Sequence, residues 1–202
     1  MADGYPAERI SIAAAAPKQT AALIRFGHHP DLDPRVHELV ALRASQMNSC
    51  AFCIDMHWLD AKTGGEEDAR LYGLDAWRES PLYDERERTA LALCEAVTHI
   101  DRAGVPDDVW ADAREHFEEP ELAQLLCAIA ATNTWNRLQI ATRALPGNYT
   151  PTAREAVGGA AAGTTDESAA AAGTTDGGAA ATDDGTTTAG AAADTAAAGA
   201  GR

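Results

Sequence analysis

The chain has 202 residues and a formal net charge of -15, because 31 acidic side chains outnumber 16 basic ones. Such a surface repels phosphate backbones and anionic lipid head groups, so we expect no nucleic acid and no membrane as partners. No run approaches the ~18 apolar residues of a membrane span, and no signal-peptide pattern opens the chain, which together predict a cytoplasmic protein.

The first 150 residues show helical rather than strand patterning. A first helix covers Ala21 to Phe26 and stops at the glycine and prolines that follow. A second begins near Pro34 and carries one apolar stripe at helical spacing, formed by Val36, Val40, Ala44 and Met47. Asn48 and Ser49 are predicted N-cap residues of a third helix that begins at or near Cys50 and closes at a Gly-Gly pair.

The rest of the domain continues as helices over residues 66–72, 84–99, 107–117 and 120–145. The second of these has Asp84 as its cap and Glu87 three residues later, a variant of the capping box. Before it, LDAWRESPLYD forms a connector whose Trp77, Leu82 and Tyr83 are expected to cover the core. No alternating valine-rich run requires a sheet, so the predicted class is all-α.

From Pro151 onward the composition changes, because Ala, Gly, Thr and Asp dominate and Val157 is the only large apolar side chain. The motif AAAGTTD occurs twice in this segment. Such a segment cannot bury enough apolar surface to offset the entropy of ordering it. We therefore expect a disordered, low-complexity tail over residues 151–202, separate from a helical domain over residues 1–150.

The stretch NSCAFCIDMHWLD contains the clearest chemical pattern. If a helix begins at Cys50, then Cys53 follows three residues later and His57 four residues after that, so all three share one face near the helix N-terminus. Peptide dipoles at this end favour a thiolate, and a C-x-x-C pair can interconvert between dithiol and disulfide within one turn. His57 can act as a base or as a charged neighbour of a thiol. The pattern predicts thiol redox chemistry.

A metal half-site and ordinary core packing are the alternatives. Zinc normally takes four ligands, and no second C-x-x-C or H-x-x-x-H pair is present, so no metal is predicted. Cys94 and Cys127 stand alone in apolar stretches and are expected to be small buried side chains. From its spacing alone, Glu38 forms an exposed ion pair with Arg35. The remaining histidines are expected to be structural or exposed: His28, His29, His37, His99 and His116.

The positions of one glutamate, the two cysteines and one histidine resemble the E-x11-C-x-x-C-x-x-x-H pattern of the AhpD-like alkylhydroperoxidases, within the carboxymuconolactone decarboxylase family. The residues at these positions are Glu38, Cys50, Cys53 and His57. The similarity extends over residues 17–151 and includes the segment ATNTWNRLQIATRALPGNYTP. Family members that decarboxylate carboxymuconolactone lack the cysteine pair, so we do not expect decarboxylation.

The resemblance implies an all-helical subunit that forms a homo-oligomer, commonly a trimer or hexamer, and reduces hydroperoxides without a bound cofactor. It implies that Cys53 is the peroxidatic thiol, that Cys50 is the resolving thiol, and that Glu38 and His57 form the proton relay. Phe52 departs from the pattern, since some members carry a histidine at this position. A dithiol donor, such as a thioredoxin or a lipoyl protein, then restores the cysteine pair.

Three functions remain open from the sequence: a thiol peroxidase, a disulfide reductase that serves a peroxiredoxin partner, and a redox sensor with little turnover. Fast peroxide consumption with recycling separates the first from the last. The motif NTWNR, residues 133–137, is expected to pack at a subunit interface, with lining of the thiol pocket as the alternative.

Deleting residues 152–202 should leave the helical domain intact, because this segment contributes almost no apolar surface. We expect the truncated protein to keep its helical circular dichroism signal and its melting temperature. A cooperative loss of structure on truncation would show that the tail packs against the domain.

Overall fold

The computed structural model describes residues 6–29 and 31–151, so the predicted tail lies outside the described residues except for Pro151. The described part is helical, without a strand, which confirms the all-α class. Its helices are α1 (Ile12–Ala15), α2 (Pro17–Phe26), α3 (Pro34–Met47), α4 (Ala51–Thr63), α5 (Asp68–Tyr72), α6 (Glu85–Thr98), α7 (Asp107–His116) and α8 (Glu119–Thr142), with a 3-10 helix at Leu74–Glu79. Among these residues, no helix is long and apolar enough to cross a membrane.

Helix α3 occupies the centre of the fold, since it packs against α4, α6 and α8. Leu39 and Leu42 are buried in a cluster with side chains from α4, α5 and α6. Three members of the predicted stripe are buried in a second cluster, which α6, α7 and α8 complete: Val36, Val40 and Ala44. Because two faces of α3 are buried in close-packed clusters, the remaining face is held in a defined position.

The connector before α6 covers the core only in part. Trp77 and Tyr83 are buried as expected, whereas Leu82 is 42% exposed, so the prediction for Leu82 was wrong. Tyr83 takes the inward position because its hydroxyl donates to the carbonyl of Arg70. That arrangement leaves the Leu82 side chain on the outer side.

Helix ends that depend on local contacts follow the sequence closely. The side chain of Asp84 accepts from the Glu87 backbone N–H, and the side chain of Glu87 accepts from the Asp84 backbone N–H, which confirms the capping box of α6.

Helix α8 ends at Thr142, three residues before the predicted end at Leu145. The chain turns there through Arg143, which has a left-handed φ of 60° and terminates the helix.

The turn between α3 and α4 differs from the prediction in its capping. Cys50 is the N-cap residue of α4, so the assignment of Asn48 and Ser49 as caps was wrong. Ser49 lies in the left-handed region with φ of 58°, and the Asn48 side chain points to α8 instead. Long-range contacts of Asn48 therefore hold this turn, and Cys50 provides the local cap.

A network of polar side chains ties the turn to α8. Asn48 Nδ2 lies 2.8 Å from Asn133 Oδ1 and 2.9 Å from Asn136 Oδ1. Asn136 is fully buried and donates to Ser45 Oγ at 3.0 Å. The backbone N–H of Cys50 donates to the Ser45 carbonyl, also at 3.0 Å. Because buried amides are stable only when their hydrogen-bonding groups are satisfied, this network fixes the point at which α4 begins.

Asn133 and Asn136 belong to the motif NTWNR, for which we expected a subunit interface. Asn136 is fully buried within the subunit and so cannot reach a partner surface, whereas an interface role for the partly buried Asn133 stays a prediction. Trp135 is half-buried and Arg137 is exposed, and an interface role for these two stays a prediction.

Asn136→Leu should destabilise the protein by about 1–3 kcal/mol, because it removes the hydrogen bonds of a fully buried amide to Asn48 and Ser45. Urea denaturation gives the free energy of unfolding. Thr134→Ala, at an exposed position of the same helix, is the matched control and should change this free energy by less than about 0.5 kcal/mol. Equal effects of the two substitutions would contradict a structural role for the network.

Candidate active site

The two cysteines of the C-x-x-C motif lie at the beginning of α4 and form a disulfide. Cys50 is the N-cap residue, and its Sγ accepts from the backbone N–H of Cys53 at 3.4 Å. Each cysteine is only 1% exposed. The pair is therefore sheltered from bulk solvent, at the end of the helix where peptide dipoles favour negative charge on sulfur.

His57 lies one turn after Cys53 on the buried face of α4. The buried positions of this helix are Cys53, His57 and Ala61, at intervals of four residues. His57 Nδ1 lies 2.8 Å from Oε2 of Glu38, which belongs to α3. The fold thus joins Glu38 to His57, which lies one turn after Cys53 on the same helix face. The other ring nitrogen of His57, Nε2, is not bonded to this carboxylate.

Glu38 does not form the exposed ion pair with Arg35 that its spacing suggested. Its side chain is 14% exposed, and Arg35 pairs with Glu66 instead. Burial by itself raises the pKa of Glu38, but hydrogen bonds from His37 and His57 outweigh this effect and hold that pKa well below its usual range. Glu38 is therefore a carboxylate at neutral pH.

His37 is a member of the site that the sequence did not predict. Its Nδ1 lies 3.0 Å from Glu38 Oε1, so His37 and His57 contact the two oxygens of one carboxylate. The ring of His29 lies 5.5 Å from that of His37, centroid to centroid. His37 was among the histidines expected to be structural or exposed, because it does not have the spacing to the two cysteines that singles out His57. The histidines at positions 28, 29 and 37, close to Glu38 in the chain, were the available signal.

Asp60 adds a second carboxylate beside His57. One ligand atom from each of Glu38, His57 and Asp60 lies within 4.8 Å of the others. The hydroxyl of Tyr149 donates to Asp60 Oδ1 at 2.7 Å, so the segment after α8 returns to α4 near the site. Structural zinc takes four ligands, and Glu38 and His57 are hydrogen-bonded to each other. The three groups therefore do not make up a structural zinc site by themselves.

The other two cysteines differ from the pair in environment. Cys94 is fully buried, as expected, and its Sγ donates to the Val40 carbonyl at 3.2 Å. Burial raises the pKa of Cys94 to about 12, so it remains a protonated thiol at neutral pH. Cys127 is only half-buried and has no disulfide partner.

An open cavity of about 420 Å³ lies beside the first turn of α4. Its lining includes Ser49 and Ala51, the two residues that flank Cys50 in the chain. Gln46, Ile54 and Asp75 complete the lining. The cavity has room for a small molecule to approach the end of α4 that carries the cysteine pair.

Known proteins with related sequences share this region of the chain. The carboxymuconolactone decarboxylase family model matches residues 8–96. The uncharacterized protein YdfG of Bacillus subtilis is 38% identical over 137 residues, which cover 66% of this chain and 93% of YdfG. The uncharacterized protein YnjA of Escherichia coli is 34% identical over 111 residues, which cover 54% of this chain and 60% of YnjA.

A solved structure has the same fold over its full length. It is a crystal structure from Agrobacterium tumefaciens of a protein of unknown function, named as a candidate antioxidant defence protein AhpD. It matches with a TM-score of 0.67 and 36% sequence identity, over 71% of this chain and 100% of its own. Together with the near full-length match to YdfG, these similarities show that the chain belongs to the carboxymuconolactone decarboxylase family, in its AhpD-like branch.

Proposed function

We propose that this protein reduces hydroperoxides with its cysteine pair and uses Glu38 and His57 as a proton relay. The Cys53 thiolate attacks one peroxide oxygen, the O–O bond breaks, and the other oxygen leaves as an alcohol after it gains a proton, while Cys53 becomes a sulfenic acid. The Cys50 thiol then condenses with the sulfenic acid, which forms the disulfide and releases water. Two electrons pass from the thiols to the peroxide, and a dithiol donor returns them.

The hydrogen bond between Glu38 Oε2 and His57 Nδ1 carries this proposal. A carboxylate on Nδ1 fixes the tautomer and orientation of the imidazole and leaves Nε2 to act as a base. Since His57 lies one turn from Cys53, this base can take the thiol proton before attack and return a proton to the leaving alkoxide. Membership of the AhpD-like branch supports the same class of reaction.

Two effects compete to decide which thiol attacks first. Cys50 caps α4 and accepts a peptide N–H, and a helix terminus of this kind is typically worth ~0.3–1 kcal/mol. Cys53 lies one turn from His57, and a positioned general base contributes ~100-fold, or about 2.7 kcal/mol. The base has the larger effect, so we assign Cys53 as the peroxidatic thiol and Cys50 as the resolving thiol.

The burial of the pair favours a small substrate. Cys50 and Cys53 are each 1% exposed, and His57 is 5% exposed. A hydroperoxide is small enough to approach through the cavity beside Ser49, whereas a folded protein disulfide cannot reach the sulfurs without rearrangement. This difference ranks peroxide reduction above direct reduction of a peroxiredoxin partner. For the same reason, an extended dithiol such as a lipoyl group suits the site better than a thioredoxin.

Cys53→Ser should abolish the first reaction with peroxide, because it removes the thiol closest in the helix to His57. Cys50→Ser should react once and then accumulate a sulfenic acid on Cys53, since no neighbouring thiol can form the internal disulfide. Dimedone labelling and mass spectrometry after one equivalent of peroxide measure both outcomes. Cys127→Ser, at the half-buried free cysteine, is the matched control and should react like the wild type.

Two results of this experiment would contradict the proposal. Label on Cys50 in Cys53→Ser, with none on Cys53 in Cys50→Ser, would reverse the roles of the two thiols. If the wild type consumes neither hydrogen peroxide nor an alkyl hydroperoxide with any of several dithiol donors, the proposed peroxidase activity is wrong.

We also propose that the subunits associate into a homo-oligomer. Large apolar side chains lie exposed on several helices of the described part, among them Trp58 of α4 at 36%, Ile140 of α8 at 46% and Phe26 of α2 at 48%. Interfaces between identical subunits are rich in such side chains.

Light scattering should therefore give the mass of a trimer or hexamer, and Trp58→Glu should lower this mass by placing a charge in the interface. The thermal stability of the variant, followed in parallel, separates loss of assembly from loss of folding. A monomeric mass for the wild type at micromolar concentration would rule out a stable oligomer.

A further inference from the structure

We propose that His37 is a positioning residue for this reaction, because it shares the Glu38 carboxylate with His57 and so sets how strongly that carboxylate supports a proton on His57. The consequence for catalysis rests on the proposed function, whereas the sharing itself is a property of the folded protein.

The two rings contact opposite oxygens of one carboxylate. His37 Nδ1 lies 3.0 Å from Glu38 Oε1, and His57 Nδ1 lies 2.8 Å from Glu38 Oε2. The side chains of His37 and Glu38 are each 14% exposed, and that of His57 is 6% exposed. Water and salt therefore screen these contacts much less than they screen a surface ion pair.

The geometry assigns one hydrogen to Nδ1 of each ring. An ionised carboxylate has no hydrogen to donate, so each Nδ1 must be the donor in its contact with Glu38. A further proton is then gained or lost at Nε2 of either ring. Both histidines thus present the same kind of titrating atom while they depend on the same negative charge.

One carboxylate stabilises a single protonated ring more strongly than it stabilises each of two protonated rings. A proton on His37 offsets the negative charge of Glu38 and places a like charge near His57, with 6.3 Å between the ring centroids. Both effects oppose a proton on His57. Two sites that interact in this way take up protons in separate steps that belong to the pair.

The titratable side chains around this pair come from α3, from α4, from the segment before α3 and, through the contact of Tyr149 with Asp60, from the segment after α8. Glu38 belongs to α3 itself, and Asp60 belongs to α4, beside Glu38 and His57. His29 comes from the segment before α3 and lies 5.5 Å from His37, centroid to centroid. These groups are the same in the wild type and in a His37 variant, so the comparison isolates the contribution of His37.

In the proposed reaction, His57 must accept the proton of the Cys53 thiol. With His37 neutral, the full charge of Glu38 supports the imidazolium that results. With His37 protonated, this support is weaker, and His57 takes the thiol proton less readily. A residue on a different helix from the cysteine pair thus makes thiol activation sensitive to pH.

Histidine-ring NMR of the disulfide form tests the sharing without turnover, because neither Cys50 nor Cys53 then carries a proton. In the wild type, His37 and His57 should not titrate independently, because both rings bond to one carboxylate. His37→Asn keeps an amide donor but does not titrate, so the His57 curve should differ from that of the wild type. His28→Asn, at an exposed histidine nearby, is the control and should change neither curve.

An Nε2–H tautomer of the neutral ring of either His37 or His57 in the wild type would overturn the proposal, because each Nδ1 must donate to Glu38, and this measurement needs no variant to fold. A His57 curve that is identical in the wild type and in His37→Asn would overturn it as well. Glu38→Gln should change the curves of both rings, because the charge that both rings contact is lost. Coupled curves in a protein that consumes no peroxide would reject the proposed function and support the sharing of Glu38.

Discussion

The hydrogen bond between Glu38 Oε2 and His57 Nδ1 joins α3 to α4 at the level of the cysteine pair. It requires an ionised carboxylate in a buried position, and burial of a charge is unfavourable unless hydrogen bonds compensate for it. Two histidine donors provide that compensation, and they hold the pKa of Glu38 well below its usual range. Without them, the same burial would favour the neutral acid, which cannot orient His57 as a base.

Both helices of the relay are positioned by packing that lies outside the site. Helix α3 can present Glu38 because its other faces are buried in two apolar clusters. Helix α4 begins at a defined point because Asn48 and Asn136 bind each other and Ser45 accepts from the Cys50 backbone N–H. The 2.8 Å contact between the helices therefore depends on residues that take no part in the chemistry.

Features that depend on near neighbours in the chain could be predicted. The apolar stripe of α3 and the Asp84–Glu87 capping box need only a separation of three or four residues, and the structure contains both. The cap of α4 could not be predicted, because Asn48 bonds to Asn133 and Asn136, 85 and 88 residues further along the chain. A local capping preference contains no information about a competing partner on another helix.

The sequence by itself determined the all-α class, the C-x-x-C pair at the start of a helix, and His57 one turn after Cys53. Each of these follows from a short, fixed separation along a helix. The family resemblance added Glu38, which its spacing alone would have placed in an exposed ion pair. Only the tertiary structure decided that Glu38 is buried and that His37 contacts its second oxygen. Periodicity defines which residues share a helix face, but the packing of helices decides which faces contact each other. The charge of a buried group then depends on the side chains that it contacts on the neighbouring helix.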